Sequence, residues 1–441
     1  MLGGGTFTIQ NKVLNGAYIN FVSMKKASET LANRGVATMP LELDWGVDNA
    51  IFEVTPADFQ KNSLKIFGYP YTHEKMKGLR DLFLHVKTLY AYKLNSGGVK
   101  AANTYATAKF TGKRGNDLKV VITLNVDGVA TYGAASAHDV KLYMGSSLVF
   151  EQYGAVTTAD LLANDFVDWK TDVTLDDTAG MPLTGGENAT VDGTAHQNYL
   201  DRVEAYSFNT MGVVTEDETT KSLYAAFTKR MRDQMGAKFQ CVLYDYAADY
   251  EGIISVKNEA LESASAADLV YWVTGAEAGC AVNKTLLNET YDGEYSINVD
   301  HKQSELEEAM MNGQFMFHNV NGDIRVLADI NSYVNGTDEK IVEIFGDNQC
   351  IRVMDQIAND IAALFNTKYL GKVPNDAAGR ISLWNDIVKH HNGLQDMRAI
   401  QDFNPDDVTV NQGEAKNSVI VGDAVTIIVG MAKLYMSVLV Q

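Results

Sequence analysis

The chain has 441 residues, of which 46% are hydrophobic and 10% aromatic. That is enough apolar material for several cores and roughly two to four domains, and it excludes a disordered or low-complexity protein. Acidic residues number 56 against 37 basic ones, and the formal charge of -19 opposes binding to nucleic acid, whose phosphates demand a basic surface.

The opening MLGGGTFTIQ has no basic segment leading into an apolar one, so it does not read as a secretory signal. No window of about 18 apolar residues occurs; the most apolar stretch, 419–440, is interrupted by Gly422, Asp423, Gly430 and Lys433. The expectation is a protein that stays in the cytoplasm that makes it. Cys241, Cys280 and Cys350 lie far apart without a CxxC pair, and read as reduced, buried small hydrophobes rather than a disulfide framework or zinc site.

In chain order, five regions stand out. Residues 1–24 form an amino-terminal arm, with the extended segment Tyr18, Ile19, Asn20, Phe21, Val22 behind the turn signal Asn15-Gly16. Residues 25–95 read as a small α/β unit: a helix over 73–85 with Thr72 as N-cap and Met76, Leu79, Leu82, Phe83 and Val86 on one stripe, then a strand over 88–94. Residues 96–180 carry no helical stripe, and the apolar runs 120–126, 140–144 and 148–150 are separated by Gly and Asp turns. That pattern predicts an all-β barrel or sandwich.

Residues 181–335 alternate helices and strands, the pattern of an α/β layer fold. A helix over 219–235 places Leu223, Phe227 and Met231 four apart, with Glu216, Asp217 and Glu218 at its start and Gly236 past its end. A strand over 239–244, a helix over 266–279, and a helix opening at Ser304 with a capping box to Glu307 and a stop at Gly313 follow. Strands over 315–318 and 324–328 flank Asn321-Gly322, a pair suited to a tight hairpin. Residues 336–441 open with the clearest helix, 348–365, whose apolar face is Ile351, Met354, Ile357, Ala358, Ile361, Leu364 and Phe365, with Arg352, Gln356 and Asn359 opposite. A helix over 379–391 ends at Gly393, and strands over 424–429 and 431–440 close the chain.

Those last strands are long, poor in charge and β-prone. Monomers avoid leaving such strands at an open edge, because the unpaired N–H and C=O row invites another chain. From the residues alone they pair either inside their own subunit or with a neighbour.

Seven segments in order carry a resemblance over nearly the whole chain. They are GAYINFVS at 16–23, LTGGEN at 183–188, ADYEGIISVKN at 248–258, YDG at 291–293, RVMDQIANDI at 352–361, GKV at 371–373 with Asn375-Asp376, and KLYM at 433–436. In this order and spacing the chain resembles phage tail sheath proteins of the Gram-positive defective-prophage and tail-like bacteriocin type. The resemblance implies an α/β and β multidomain fold: a β-rich outer domain, a central subtilisin-like α/β domain, and a conserved α+β C-terminal domain with extended N- and C-terminal arms. It implies a structural subunit, not an enzyme, that polymerises as a helical sheath and contracts from a metastable extended state to drive a tube through a cell envelope.

No cofactor is implied. The implied partners are further copies of the chain in stacked rings, the tail tube protein, and the baseplate and tail terminator proteins, with no direct contact to nucleic acid or membrane. Assembly would take place in the host cytoplasm, before release as a virion tail sheath or phage-tail-like particle. The inter-subunit arm strands would use Tyr18, Ile19, Asn20, Phe21 and Val22 at one end and Val425, Ile427, Val429, Leu434, Met436 and Val438 at the other, while Arg352, Gln356 and Asn359 would face the tube. Relatives often place proline where this chain has Asn15, which changes the arm's entry turn.

The rival class is a hydrolase on the same α/β scaffold. It needs a serine, a histidine and an orienting acid; His196, His301 and His318 fall in the α/β region, but no Gly-x-Ser-x-Gly elbow nominates a serine. Thr184-Gly185-Gly186 lacks the Lys-Ser/Thr of a phosphate loop, and reads as a surface loop. Adjacent His390 and His391 point about 100° apart on a helix, so they suit its last turn rather than one metal.

Overall fold

The computed structural model describes residues 34–125 and 137–440. Tyr18 to Val22 and the end of the 120–126 strand lie outside the described residues. The chain divides into two compact units: one of residues 39–77 and 89–203, the other of 78–88 and 204–440 with the stretch that ends at Thr38.

In the first unit, Ser147–Ala155, His138–Met144, Leu118–Leu124 and Thr178–Pro182 form an antiparallel sheet in that order. Ala106–Ala108 and Val167–Trp169 form a separate antiparallel pair. Strict alternation in His138–Met144 sends Val140, Leu142 and Met144 into the core while Asp139, Lys141 and Tyr143 face outward. They meet Trp45, Leu118, Val120, Ile122, Val167 and Leu183 in one cluster. Each fully buried aliphatic contributes about 1.5–3 kcal/mol. The β-rich region is thus an open sheet with a flanking ladder among the described residues, and residues past 180 belong to it. The loop at Gly186 is part of this unit's own framework, its N–H donating to Asn116 Oδ1 at 2.8 Å.

In the second unit, Gln314–Phe315, Ile253–Val256, Gln240–Tyr244, Thr210–Gly212 and the start of Val36–Leu41 run parallel in that order. Gln240–Tyr244 and Ile253–Val256 are buried almost throughout, as parallel strands covered on both faces must be. Helix Leu269–Gly279 lies on this sheet and is buried nearly all round. It seats because residue 212 has no side chain: a Cβ there would fall 2.2 Å from Thr274 Oγ1. Helix Glu218–Lys229 also packs on Gln240–Tyr244. Its cap is Asp217, which accepts from Thr220 N at 2.7 Å, and it continues as a π turn to Met235.

Several boundaries move for local reasons. The expected helix over 73–85 is a 3-10 turn, Glu74–Met76, running into Lys77–Phe83; His73, not Thr72, caps it by accepting from Lys75 N. The box expected at Ser304 closes two residues early, Glu305 accepting from Lys302 N at 3.0 Å, so the helix is Gln303–Met311. Phe317–Val320 and Asp323–Val326 form the expected hairpin, with Asn321 and Gly322 at φ 55° and 100° as a tight turn requires.

Toward the carboxyl end, helix Asn348–Leu364 and helix Ala377–Asp396 share a core with Val282, Leu394, Ile400 and Phe403. Ala377–Asp396 runs straight through Gly393, because packing of Leu394 outweighs the modest cost of one helical glycine. The hairpin Thr409–Gln412 with Val419–Gly422 has no counterpart in the sequence reading. Among the described residues no helix is long and apolar enough to cross a membrane.

Candidate assembly surface

The carboxyl-terminal segment begins inside its own subunit. Thr426–Ile427 pairs antiparallel with Ile400–Gln401, and Ile428 N donates to Ala399 O at 3.0 Å. Val425 and Ile427 pack on the local core. The Gln349 side chain clasps the next turn of chain, donating to Ile428 O at 3.1 Å and accepting from Gly430 N at 3.0 Å. The strand expected over 424–429 is therefore two residues long and internal. Val429 is half exposed, and beyond Gly430 the chain lies open.

Residues 431–440 form no strand with any described residue, and every one is exposed. Leu434 is 85%, Met436 75%, Val438 69% and Leu439 95% exposed. In an extended chain successive side chains alternate sides. Leu434, Met436, Val438 and Val440 then make one wholly apolar side; Lys433, Tyr435, Ser437 and Leu439 make the other. An exposed apolar run of this length marks a surface that another molecule covers.

The stripe expected to face outward on the Asn348–Leu364 helix is turned inward. Arg352 is 1% exposed and Gln356 4%, with Asn359 half-buried. Arg352 donates to Glu277 Oε2 at 2.6 Å, Asp329 Oδ2 at 3.3 Å and Lys284 O at 2.7 Å. One turn on, Asp355 takes a two-bond contact from Arg232 at 2.6 and 2.9 Å. Asn359 binds Lys238 through both its amide and its carbonyl. Gln356 donates to Asp360 at 2.8 Å. The correction has a physical reason: buried charges are tolerated when paired, and the partners of Arg352 and Asn359 lie far away in sequence. At the other end of the cluster, Arg34 donates to Cys280 O and Glu277 O, so the first described residue caps helix Leu269–Gly279.

Burial pushes Glu277 up to about 8, with the Asp329 carboxylate adding to the rise and Arg352 opposing it. Asp329 moves the other way: burial works against its charge, but Arg352 together with hydrogen bonds from Glu277, Leu286 N and Asn348 holds it below the ordinary range. The pair therefore shares one proton near neutrality. A group raised from 4.5 in this way contributes fully below that value and loses its contribution as pH climbs through about 8. Glu277→Gln is expected to gain stability relative to the parent at each step from about pH 5 to pH 8. Urea midpoints across that range measure it, and a difference independent of pH refutes it.

Residues 189–332 match the phage tail sheath protein central domain, and residues 342–441 the phage tail sheath C-terminal domain. Over 94% of the chain the fold superposes on the whole crystal structure of a sheath tail protein from Desulfitobacterium hafniense, with TM-score 0.78 and 32% identity. The chain belongs to the phage tail sheath protein family. The phage-like element PBSX protein XkdK of Bacillus subtilis (strain 168) is 29% identical to this sheath protein over 99% of both chains. The contracted helical sheath of the anti-feeding prophage, at 11% identity and TM-score 0.56 over 98% of the chain, shares the fold alone.

As a sheath protein it is a structural protein and not an enzyme. The pair His391 with Asp423 meets a second histidine where a protease would present its serine. Among the described residues no group of His, Cys, Asp or Glu side chains is placed to hold a metal. Burial pushes the thiols of Cys241, Cys280 and Cys350 up to about 12, which keeps them protonated and inert. Neither His390 nor His391 caps a helix end: both lie inside Ala377–Asp396, and His391 is wholly buried. The Thr409–Gln412 hairpin did have a signal, in Val408 and Val410 alternating ahead of Gly413 and the run Val419, Ile420, Val421.

Proposed function

We propose that this sheath subunit polymerises helically around a tail tube by lending residues 431–440 to a neighbouring copy as an added strand, and that the polymer contracts from a metastable extended state to drive the tube through a target envelope. The exposed apolar segment beyond Gly430 carries the reading. An added strand satisfies its own backbone N–H and C=O groups while burying alternate side chains. Tyr18, Ile19, Asn20, Phe21 and Val22 act as the matching strand at the other end. Open edges of the Thr409–Gln412 and Val419–Gly422 hairpin, with Ile420 and Val421 exposed, suit the receiving role.

In this reading the β-rich unit is the outer elaboration, and the parallel sheet is the subtilisin-like layer in topology only. Other copies, the tube, the baseplate and the terminator are the partners. Contraction draws on better-packed contacts between subunits in the final state. A gain of about 1 kcal/mol per subunit, summed over many coupled copies, makes the change irreversible.

Negative-stain microscopy of the purified chain with and without residues 431–440 tests the proposal. The full chain is expected to give hollow tubes or rings. The truncated chain is expected to stay monomeric with an unchanged melting curve, because the deleted residues make no strand within the subunit. Tubes from the truncated chain would overturn it.

A further inference from the structure

At the root of the carboxyl-terminal segment, four side chains form one line. His390 Nε2 lies 3.0 Å from Asp360 Oδ2, the two histidines meet Nδ1 to Nδ1 at 3.2 Å, and His391 Nε2 lies 2.7 Å from Asp423 Oδ2. Asp360 belongs to helix Asn348–Leu364, the histidines to Ala377–Asp396, and Asp423 to the link between Val419–Gly422 and Thr426–Ile427. His391 is fully buried, its ring 5.1 Å from that of Phe403. The line therefore ties the hinge of the segment to two helices of the C-terminal core.

We propose that the line Asp360, His390, His391, Asp423 is a proton-operated latch that fixes the direction in which the carboxyl-terminal segment leaves the subunit. Each Nε2 faces a carboxylate and so carries hydrogen. An imidazole nitrogen facing another closes a hydrogen bond only when a single proton lies between them. The pair therefore holds three N–H protons and one positive charge between two carboxylates. Removing the shared proton sets lone pair against lone pair, and adding another sets N–H against N–H. The latch is closed while one proton is shared and opens when that proton is lost or a further one is added.

The groups facing the pair are Asp360 from one helix, with Gln356 donating to the same oxygen at 2.8 Å, Asp423 from the link, and the uncharged ring of Phe403. Lys389 precedes the pair on its own helix. A latch matters here because a strand must leave its subunit at a fixed angle to reach a neighbour, and Asp423 precedes the segment's last internal pairing by only three residues.

The proposal rests on the strand-lending reading above, and its test does not require assembly. Amide hydrogen exchange of residues 419–430 is followed in the full chain from about pH 5 to pH 9, corrected for the intrinsic rate, beside the same measurement on His390→Phe. Protection of the Ile428 amide is expected to peak in mid-range and fall about tenfold by the alkaline end. His390→Phe, which keeps a ring but breaks the line, is expected to have no peak. A flat profile in the parent, a peak retained by His390→Phe, or an equal fall in strand Gln240–Tyr244 would each overturn the latch. If the peak is present while a chain lacking 431–440 still forms tubes, strand lending fails and the latch stands. A missing peak with tubes lost on truncation gives the converse.

Discussion

Arg352→Met is expected to lower the unfolding free energy by about 3–5 kcal/mol, the usual cost of removing one partner from a buried ion pair. The guanidinium is enclosed by Glu277, Asp329 and the carbonyl of Lys284. Methionine fills the volume but takes away the cation that pairs with the Asp329 carboxylate in a low-dielectric interior. Arg352 stays charged whatever the pH, because its two carboxylate neighbours raise it further despite burial. The loss is expected to be largest above about pH 8, where Glu277 ionises too and a second charge goes unpaired. Urea denaturation of the chain lacking 431–440 at pH 7 and pH 9 reads both effects. A loss under about 1 kcal/mol at either pH would mean that the cluster rearranges or takes up water, and that the buried pair does not hold the Asn348–Leu364 helix in place.

Met436→Asp is expected to abolish tube formation, and Ser437→Asp to leave it nearly intact. Both side chains are exposed in the subunit, so neither change should alter its melting curve. Their difference arises only when 431–440 becomes a strand on another copy. Met436 then lies on the wholly apolar side with Leu434 and Val438, where burial is worth about 1.5–3 kcal/mol for each large side chain. An aspartate there loses that gain and adds the cost of burying an unpaired charge. Ser437 shares its side with Lys433, which keeps that face at a wet boundary. Because every junction in a polymer suffers the same loss, several kcal/mol per contact removes assembly at any practical concentration. Equal damage from both substitutions, scored by sedimentation and microscopy, would mean that the segment is buried on both sides or docks in another conformation.

Much of this fold was legible because its signals are local. The Glu218–Lys229 helix shows itself by Leu223 and Phe227 four apart behind an acidic cap, and the Phe317–Val320 hairpin by Asn321-Gly322. Strands of the β-rich unit alternate as a half-buried sheet must. Caps were less secure: His73 displaces Thr72, and Lys302 with Glu305 displaces Ser304 with Glu307, because neighbouring polar residues compete for the same orphan amides at little difference in energy.

The amphipathic helix at 348–365 was read with the right bounds and the wrong outward face. Periodicity separates polar from apolar sides, but it does not say whether a polar side meets water or buried partners. Glu277 and Asp329 stand 75 and 23 residues from Arg352 in sequence. The same holds for His391, whose partner Asp423 is 32 residues away.

Sequence by itself determined the sheath family, many of the helices and strands, and the presence of an apolar, β-prone closing segment, since each of these is written in neighbouring residues or in motif order. Only the tertiary structure decided that Thr426–Ile427 turns back onto its own subunit while 431–440 stays open, and that Arg352 and His391 are interior groups. Which charge is buried, and which strand is left without a partner, depends on contacts between distant parts of the chain. Those contacts are set by the desolvation cost of each group against the partners that the folded chain brings to it.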